Sequence, residues 1–403
     1  MSSARRSLRG ERMRNFEWDN KTEVIFGCGT VAEAGRLVRR FGGSRVLLVY
    51  GGGSVIRSGL LDRVAASLEA EGISAVRFGG VQPNPRLQKA REGVQLGLSE
   101  QVDFILPVGG GSVIDTAKAI AHGIANPDVD IWEYWKKTET VAKTTKLGVI
   151  LTIPAAGSET SNSAVLTNEE TGAKWGLSTV WNRPLFAIMD PDAAATLPAY
   201  QVGCGVADIM MHTLDRYFNA VFDNELTDEL AEALLRVVIR HGPAAVKNPA
   251  DSHAMSEVMW AGSLSHNGLT GLGGTVDFAV HQFGHELSAR YDVAHGASLA
   301  AVWGTWARYV LEGNEHRFAR YAKNVWGLQG ADEAALAMAG IGATEEFFRS
   351  IGMPTSIGDL GKTVTEADLM HMAEGCSRGH TRTVGRMRVL DHDDMLEIYR
   401  RAL

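Results

Sequence analysis

The first half of the chain repeats one pattern, in which a short apolar run, often β-branched, leads through glycine into a helical segment. Strands that alternate with helices usually pair in parallel, because each helix carries the chain back across the sheet. The pattern therefore predicts an α/β domain with a doubly wound parallel sheet over residues 15–197. The buried strands are predicted at 45–50, 104–108, 147–153 and 185–189.

After Pro198 the sequence changes to long alanine- and leucine-rich segments with helical periodicity, and strand-like runs become rare. This texture predicts an all-α second domain over residues 198–403. A length of 403 residues also favours two domains over one core. No low-complexity linker separates the two halves, so we expect direct contact with a cleft between them. The predicted helices are 208–218, 226–239, 253–264, 277–289, 299–311, 317–325, 331–350 and 367–376.

Composition argues against several classes of protein. A net charge of −7 disfavours nucleic acid as a partner, because duplex binders usually present a basic surface. No apolar run reaches the ~18 residues that a membrane helix needs. Three scattered cysteines, Cys28, Cys204 and Cys376, are typical of a reducing compartment, and we expect the cytoplasm. Residues 1–14 hold five arginines and one glutamate with no apolar stretch after them, which predicts a disordered tail rather than a secretory signal.

One glycine cluster follows a predicted strand and suits a bound phosphate. Gly110, Gly111 and Ser112 follow the predicted strand 104–108 and open a helix, and the free N–H groups of a helix N-terminus bind anions. Ser112 and Asp115, three residues apart, predict a capping box. A plain strand-to-helix turn is the alternative.

A second glycine cluster, which includes Gly52 and Ser54, follows the predicted strand 45–50. In dinucleotide-binding folds an acidic residue near such a strand end holds the adenosine ribose and disfavours a 2′-phosphate. Glycine leaves room for that phosphate. The cluster therefore favours NADP over NAD, with NAD still possible.

The second half carries histidines at spacings that suit a metal site. Asp208 and His212 are four residues apart, as are His281 and His285, so each pair can share one face of a helix. His295 follows His281 by fourteen residues, about 21 Å along one straight helix. The chain must therefore break between them if both are to reach one ion. Three imidazoles and a carboxylate suit a borderline divalent ion such as Fe²⁺ or Zn²⁺.

The break is predicted as a loop at 291–293. Spacing alone leaves open an alternative in which these histidines have no ligand role. The zinc-protease motif HExxH is excluded, because the chain reads HQFGHE with the glutamate after the second histidine. Core or surface positions without a ligand role are predicted for the other histidines considered: His122, His241, His253, His266, His316, His371 and His392.

Seven motifs occur in order along the chain. They are FGCGT, VYGGGS, GGGSVID, LTIPAAGSE, MDP followed by TLP, D-x-x-x-H at 208–212, and HQFGHE followed by AHG. From about Asn15 to the C-terminus the chain thereby resembles the iron-containing (group III) alcohol dehydrogenases. It is most similar to their NADPH-dependent butanol dehydrogenase and aldehyde reductase branch.

The resemblance implies a role for each candidate residue. His285 matches an additional family histidine beside the expected nicotinamide. For its role we favour packing against or supporting the ligands, with proton relay as the alternative. The implied metal ligands are Asp208, His212, His281 and His295. The implied cofactor-binding residues are Gly110, Gly111, Ser112 and Asp115 at the pyrophosphate, Thr152 and Lys174 in the cleft, and Gly52 and Ser54 at the adenosine ribose.

The resemblance also implies a reaction, namely hydride transfer between NADP(H) and a small alcohol or aldehyde in a metal-dependent homodimer. A dehydroquinate-synthase-like or glycerol-dehydrogenase-like enzyme of the same architecture is one alternative. A nucleotide-binding protein that has lost catalysis is another. The arginine-rich segment 376–388, with His380, Arg382 and Arg386, is left open between a solvated surface and a place beside the substrate or cofactor.

Overall fold

A computed structural model describes residues 12–219 and 223–403. Its strands are β1 Glu23–Phe26, β2 Arg45–Tyr50, β3 Ser74–Phe78, β4 Phe104–Gly109, β5 Lys146–Leu151, β6 Ser163–Asn168, β7 Ala173–Ser178 and β8 Phe186–Met189. The helices of the first half are α1 Ala34–Arg40, α2 Ser54–Arg57, α3 Leu60–Ala70, α4 Leu87–Ser99, α5 Gly111–Ala125 and α6 Ile131–Lys136. Short 3-10 turns lie at Thr30–Glu33, Val180–Asn182, Pro191–Ala194, Leu269–Gly271 and Gly358–Leu360.

The helices of the second half follow the last strand of the sheet. They are α7 Ala199–Tyr217, α8 Glu225–Lys247, α9 Ser252–His266, α10 Ala279–Tyr291, α11 His295–Tyr309, α12 Glu315–Asn324, α13 Glu333–Ser350, α14 Glu366–Ser377 and α15 His392–Ala402. Within the described ranges, no helix is both long enough and apolar enough to cross a membrane.

Six strands form one parallel sheet in the order β1-β8-β5-β4-β2-β3. The side chains of β2 alternate between its two faces, as the pleat of a strand requires. Val46 and Leu48 join the apolar cluster under α1 and α3, whereas Leu47 and Val49 join the cluster under α4 and α5. Burial on both faces explains why the strand reads as a continuous apolar run. The predicted α/β domain with a doubly wound parallel sheet is confirmed.

The described part of the second half consists of helices and connecting loops without a strand, as predicted, and one isolated antiparallel bridge joins Val384 and Leu390. Its central element is α7, in which every residue from 202 to 217 is buried. A helix that is buried on all sides must be surrounded by other elements, and α8, α9 and α11 all pack against α7. The helix that carries Asp208 and His212 is therefore the core of this half.

Several predicted elements differ from the structure. The helix predicted at 208–218 begins at Ala199, directly after Pro198, because an all-round buried helix shows little amphipathic contrast along its first turns. The helix predicted at 226–239 continues to Lys247 through Pro243. The edge strands β1 and β3 were not predicted, because both are short and mostly solvent-accessible. The β6–β7 hairpin and α15 were also not predicted.

The predicted disordered tail falls mainly on residues 1–11, which lie outside the described residues. Within the described part, the backbone N–H of Met13 donates to the Asp223 carboxylate over 2.7 Å. The backbone N–H of Arg14 donates to the carbonyl of Gly273 over 2.9 Å. Residues 13 and 14 are therefore held against the helical half.

Candidate metal centre and cofactor cleft

A cleft of about 1150 Å³ lies between the carboxyl ends of the central strands and the helical half. Open parallel sheets bind their ligands at this edge, where the loops leave the strands. The cleft is lined by each residue predicted for cofactor or metal binding, namely Gly52, Ser54, Gly110, Gly111, Ser112, Asp115, Thr152, Lys174, Asp208, His212, His281, His285 and His295.

The loop predicted to bind phosphate joins β4 to α5. The N-cap of α5 is Gly110 and its first helical residue is Gly111. The first turn of a helix leaves N–H groups without an intrahelical partner, and these groups lie at the wall of the cleft. The structure thus gives the loop the backbone geometry of an anion site.

The predicted capping box at this helix is wrong. Ser112 lies inside the first turn, and no side chain caps α5. Asp115 instead accepts hydrogen bonds from the Ser158 hydroxyl at 2.5 Å and the Val165 N–H at 2.8 Å. Burial raises the pKa of Asp115, and the nearby Lys118 ammonium opposes that rise. Asp115 therefore links α5 by hydrogen bonds to the loop after β5 and to β6, which also line the cleft.

Lys174 is the predicted cleft residue with the most distinctive surroundings. It lies on β7, and its ammonium donates to Oδ1 of Asn84 over 2.9 Å. Burial lowers its pKa to about 8, and the Asp208 carboxylate acts in the opposite direction. The Lys174 ammonium is therefore held by Asn84 and lies near enough to the Asp208 carboxylate for each charge to shift the pKa of the other group.

Four side chains from three helices converge in the cleft, namely Asp208 and His212 on α7, His281 on α10 and His295 on α11. The Nε2 atoms of His212, His281 and His295 lie 3.5, 4.0 and 3.8 Å from Oδ1 of the aspartate. Two ligand atoms that each lie about 2.1 Å from one ion can be at most about 4.2 Å apart. Each imidazole is therefore close enough to share an ion with the carboxylate. The ligand atoms of Asp208, His212 and His281 all lie within 4.8 Å of one another, whereas His295 joins this cluster through its contact with Asp208.

Unsatisfied polar atoms support a metal at this place. Oδ1 of Asp208 and Nε2 of His281, which face each other, are buried and have no hydrogen-bond partner among the described residues. Leaving a buried polar atom without a partner costs about 1–3 kcal/mol. Nitrogen and oxygen donors without thiolates suit Fe²⁺ or Zn²⁺. The residues present thus fit a divalent ion.

The turn between α10 and α11 brings His295 back to His281. Helix α10 ends at Tyr291, Asp292 adopts a left-handed conformation with φ 52°, and α11 begins at His295. The predicted break at 291–293 is confirmed. A side chain at Gly296 would place its Cβ 1.9 Å from the carbonyl oxygen of Cys204. Only glycine allows the start of α11 to approach α7 this closely.

Burial sets the charge state of the candidate ligands. It lowers the pKa of His281 to about 3 and that of His212 well below its ordinary value. It raises the pKa of Asp208 to about 7, against the opposing charge of Lys174. The imidazoles are therefore neutral near pH 7, the form that coordinates metals.

His285 lies beside the four converging side chains. Its ring is stacked on that of His295, with centroids 5.3 Å apart, and its centroid is 6.4 Å from that of His281. It lines the cleft, and burial lowers its pKa well below the ordinary value. A neutral imidazole in this place can accept or donate a proton near the candidate ligands.

Two further residues contact the candidate ligands and were missed from the sequence. Asp215 lies 2.5 Å from Nδ1 of His281, and a signal existed, because 208, 212 and 215 follow the i, i+4, i+7 spacing of one helix face. His266, predicted to have no role, lies with its Nδ1 2.9 Å from Nδ1 of His212. No local pattern marks His266, because its contact with His212 depends on how α9 packs against α7.

The segment 376–388 contributes one of its three singled-out residues to the cleft. Arg382 lines the cleft and donates to the side-chain oxygen of Gln282 over 2.9 Å. His380 instead lies beside Glu374 at 3.1 Å, and the backbone N–H of Arg386 donates to the Asp277 carboxylate. Of these three residues only Arg382 lines the cleft, beside Arg378, which caps the end of α14 and lines it as well.

Comparisons with known proteins agree with this geometry. Residues 21–191 match the family model of iron-containing alcohol dehydrogenase, and residues 203–403 match its C-terminal domain. NADH-dependent butanol dehydrogenase A of Clostridium acetobutylicum is 38% identical over 97% of this chain and 100% of its own length. NADPH-dependent aldehyde reductase YqhD of Escherichia coli is 36% identical over 87% of this chain and 90% of its own length.

A solved structure extends the similarity to three dimensions. NADH-dependent butanol dehydrogenase A from Thermotoga maritima is 35% identical, covers 97% of this chain and 99% of its own, and superposes with a TM-score of 0.93. Sequence and fold agree over nearly the whole length of both proteins. The chain belongs to the iron-containing alcohol dehydrogenase family.

Proposed function

We propose that this chain reduces small aldehydes to alcohols, and catalyses the reverse reaction, with NADPH as the preferred coenzyme and one divalent ion, Fe²⁺ or Zn²⁺. One observation carries the proposal. Three imidazole nitrogens lie within 4.0 Å of one oxygen of Asp208, in the same cleft as the helix N-terminus at Gly110–Ser112. The metal set and the phosphate-binding loop are thus parts of one site.

Each group of residues has a distinct part in the proposed reaction. Asp208, His212, His281 and His295 hold the ion, and the backbone N–H groups of the α5 N-terminus bind the pyrophosphate. When bound, the ion supplies Lewis-acid catalysis and the coenzyme supplies the hydride. His285 moves a proton between the cleft and water.

The preference for NADPH rests on the end of β2. Gly52 and Ser54 line the cleft where dinucleotide-binding folds often place an acidic residue on the ribose. A Cβ built on Gly52 meets no atom within 4 Å, so this end has room for a 2′-phosphate. The relatives include both NADH- and NADPH-dependent enzymes by name, and we expect NADH to be accepted more weakly.

We also propose that the chain works as a homodimer in the cytoplasm. The compartment is supported by free thiols at all three cysteines, two of them buried, which suits reducing conditions. The dimer is inferred from the resemblance to the family. The mass of the protein in solution and its location in the cell are the measurements that test these two points.

The experiment that tests the proposed reaction is a coenzyme oxidation assay. Metal-free protein, reloaded under anaerobic conditions with Fe²⁺ or Zn²⁺, is mixed with NADPH and butanal. We expect NADPH absorbance to fall with the metal and not without it, and His281→Ala to be inactive under both conditions. Coenzyme binding without turnover of any aldehyde or alcohol would favour an inactive nucleotide-binding protein. Turnover of a phosphorylated acid without net NADPH loss would favour the dehydroquinate-synthase-like alternative.

A further inference from the structure

His266 is the last residue of α9 and contacts a candidate metal ligand edge to face. Its Nδ1 lies 2.9 Å from Nδ1 of His212, and the two ring planes are inclined by 82° with centroids 4.0 Å apart. This distance is that of a hydrogen bond between two ring nitrogens. In such a bond one nitrogen carries the proton and the other offers its lone pair.

Metal binding decides which nitrogen carries that proton. Nε2 of His212 faces Oδ1 of Asp208 at 3.5 Å, so Nε2 is the atom available to an ion held with the carboxylate. A ligating nitrogen must be unprotonated, and the proton of neutral His212 then sits on Nδ1. His212 is therefore the donor and His266 the acceptor, which leaves the proton of a neutral His266 on its Nε2.

The same arrangement occurs at a second ligand of the set. Nδ1 of His281 lies against the Asp215 carboxylate at 2.5 Å, and its Nε2 faces Asp208. Hydrogen bonds to the second nitrogen of metal-bound histidines fix the tautomer and the ring orientation, and losing one typically costs 10–100-fold in metal affinity. At His281 this partner is an acid, whereas at His212 it is another imidazole.

Close backbone contacts hold His266 in place. Gly157, in the loop after β5, has φ +59°, and a Cβ built on it would lie 2.6 Å from Cβ of His266 and 2.7 Å from the carbonyl oxygen of Gly262. The loop therefore presses against the last turn of α9 where only glycine fits. Such a fixed neighbour suits a residue that must present one ring nitrogen in one direction.

We propose that His266 is a positioning residue that fixes His212 as the Nδ1–H tautomer and turns its Nε2 toward the divalent ion. This inference rests on the proposed function for the identity of the four ligands. It assigns to His266 no direct bond to the metal and no contact with the reacting atoms.

Two substitutions of His266 distinguish its hydrogen bond to His212 from a role in which the side chain only fills space. In His266→Asn the side-chain oxygen lies near the place of Nδ1 and can still accept, whereas in His266→Leu no acceptor remains. Metal-free protein is titrated with Zn²⁺ in competition with a chromophoric chelator, and His212→Ala reports loss of a ligand. We expect His266→Leu to bind 10–100-fold more weakly than the wild type and His266→Asn to bind within a few-fold of it.

Each other result counts against the inference. Unchanged affinity in His266→Leu would show that the contact does not matter. Equal weakening in both variants would assign His266 to space filling, and a loss as complete as that of His212→Ala would make it a ligand. If wild-type protein binds no Zn²⁺, the proposed function fails as well, whereas wild-type binding that neither variant alters overturns only the role of His266.

A second measurement reads the ring tautomers in the wild-type protein itself, and variants serve only to assign the signals. In wild-type protein labelled with ¹⁵N-histidine and loaded with Zn²⁺, long-range ¹H–¹⁵N spectra report which ring nitrogen of each histidine carries a proton. The signals of His266 and His212 are assigned by their absence from the spectra of the variants His266→Asn and His212→Ala. We expect a protonated Nδ1 on His212 and an unprotonated Nδ1 on His266. The reverse assignment would overturn the proposal.

Discussion

Nδ1 of His281 lies 2.5 Å from a carboxylate oxygen of Asp215, and both groups are buried. When Asp215 is ionised its carboxylate can only accept, so Nδ1 of His281 carries the proton and the opposite nitrogen keeps its lone pair. That opposite atom, Nε2, is buried without a hydrogen-bond partner among the described residues and lies 4.0 Å from Asp208. Asp215 thus prepares His281 for a metal before any metal binds.

The first prediction concerns metal affinity when Asp215 is changed. Asp215→Asn keeps an acceptor but loses the charge, and Asp215→Leu loses both, so we expect a graded weakening within the 10–100-fold range typical of such partners. Competition with a chromophoric chelator measures it. Asp62→Asn, on the exposed face of α3, is the control and should leave affinity unchanged. Equal affinity in all three variants would mean that His281 needs no partner.

The second prediction concerns coenzyme choice at the end of β2. Gly52→Asp places a carboxylate where a Cβ meets no atom within 4 Å, so the fold should tolerate it. The new charge can bind the ribose hydroxyls of NADH and repel a 2′-phosphate. We expect the ratio of kcat/KM for NADPH over NADH to fall at least about tenfold, which corresponds to roughly 1.4 kcal/mol. Gly52→Ala is the matched control and should retain the wild-type ratio.

The third prediction separates proton transfer from metal binding at His285. The ring stacks on His295, but the imidazoles within 4.0 Å of Oδ1 of Asp208 are those of His212, His281 and His295. His285→Asn should therefore keep full metal content and lower kcat by roughly 100-fold, the scale of general acid–base catalysis. Elemental analysis and steady-state rates on one preparation measure both quantities. Loss of metal would make His285 a ligand, and an unchanged kcat would leave it a packing residue.

The fourth prediction concerns stability against pH through His122. This residue is fully buried between Asn182, 2.8 Å from its Nε2, and Thr144, 3.1 Å from its Nδ1. Burial lowers its pKa to about 4, below the ordinary value of about 6.5 in an unfolded chain. Between these values the unfolded state binds a proton that the folded state lacks, so stability falls as pH falls from 6.5 to about 4.

The variant His122→Gln removes this proton-binding group and keeps a side-chain amide near Asn182. The free energy of unfolding of the metal-free chain, measured by urea titration from pH 7 to pH 4, should fall more steeply in the wild type. The expected difference between the two profiles is on the order of 3 kcal/mol. Parallel profiles would contradict the assignment.

The sequence predicted the parallel sheet because its central strands are buried on both faces and read as uninterrupted apolar runs, as at Arg45–Tyr50. The short edge strand Glu23–Phe26 carries no such signal, because its pairing partner β8 is remote in sequence and its side chains are partly exposed. A strand that is buried on both faces shows a recognisable apolar run in its own sequence. Whether a short segment pairs at the edge of a sheet depends on the strand beside it.

The same division holds at the site. Asp208 and His212 were predictable because their spacing on one helix repeats the periodicity of the helix itself. His266 was assigned no role, because its contact with His212 depends on the relative placement of α9 and α7. Asp115 was predicted as part of a cap, yet its buried position directs the carboxylate to Ser158 and Val165. The roles of His266 and Asp115 therefore depend on tertiary contacts that no local sequence pattern shows.

The most direct test of the central claim is the number of Zn²⁺ ions bound per chain by metal-free protein and by single alanine variants of the four proposed ligands. We predict one tightly bound ion in the wild type and in the control His253→Ala. We predict at least a 100-fold loss of affinity in Asp208→Ala, His212→Ala, His281→Ala and His295→Ala. A wild-type chain that binds no ion, or four variants that bind it as tightly as the control, would contradict the account.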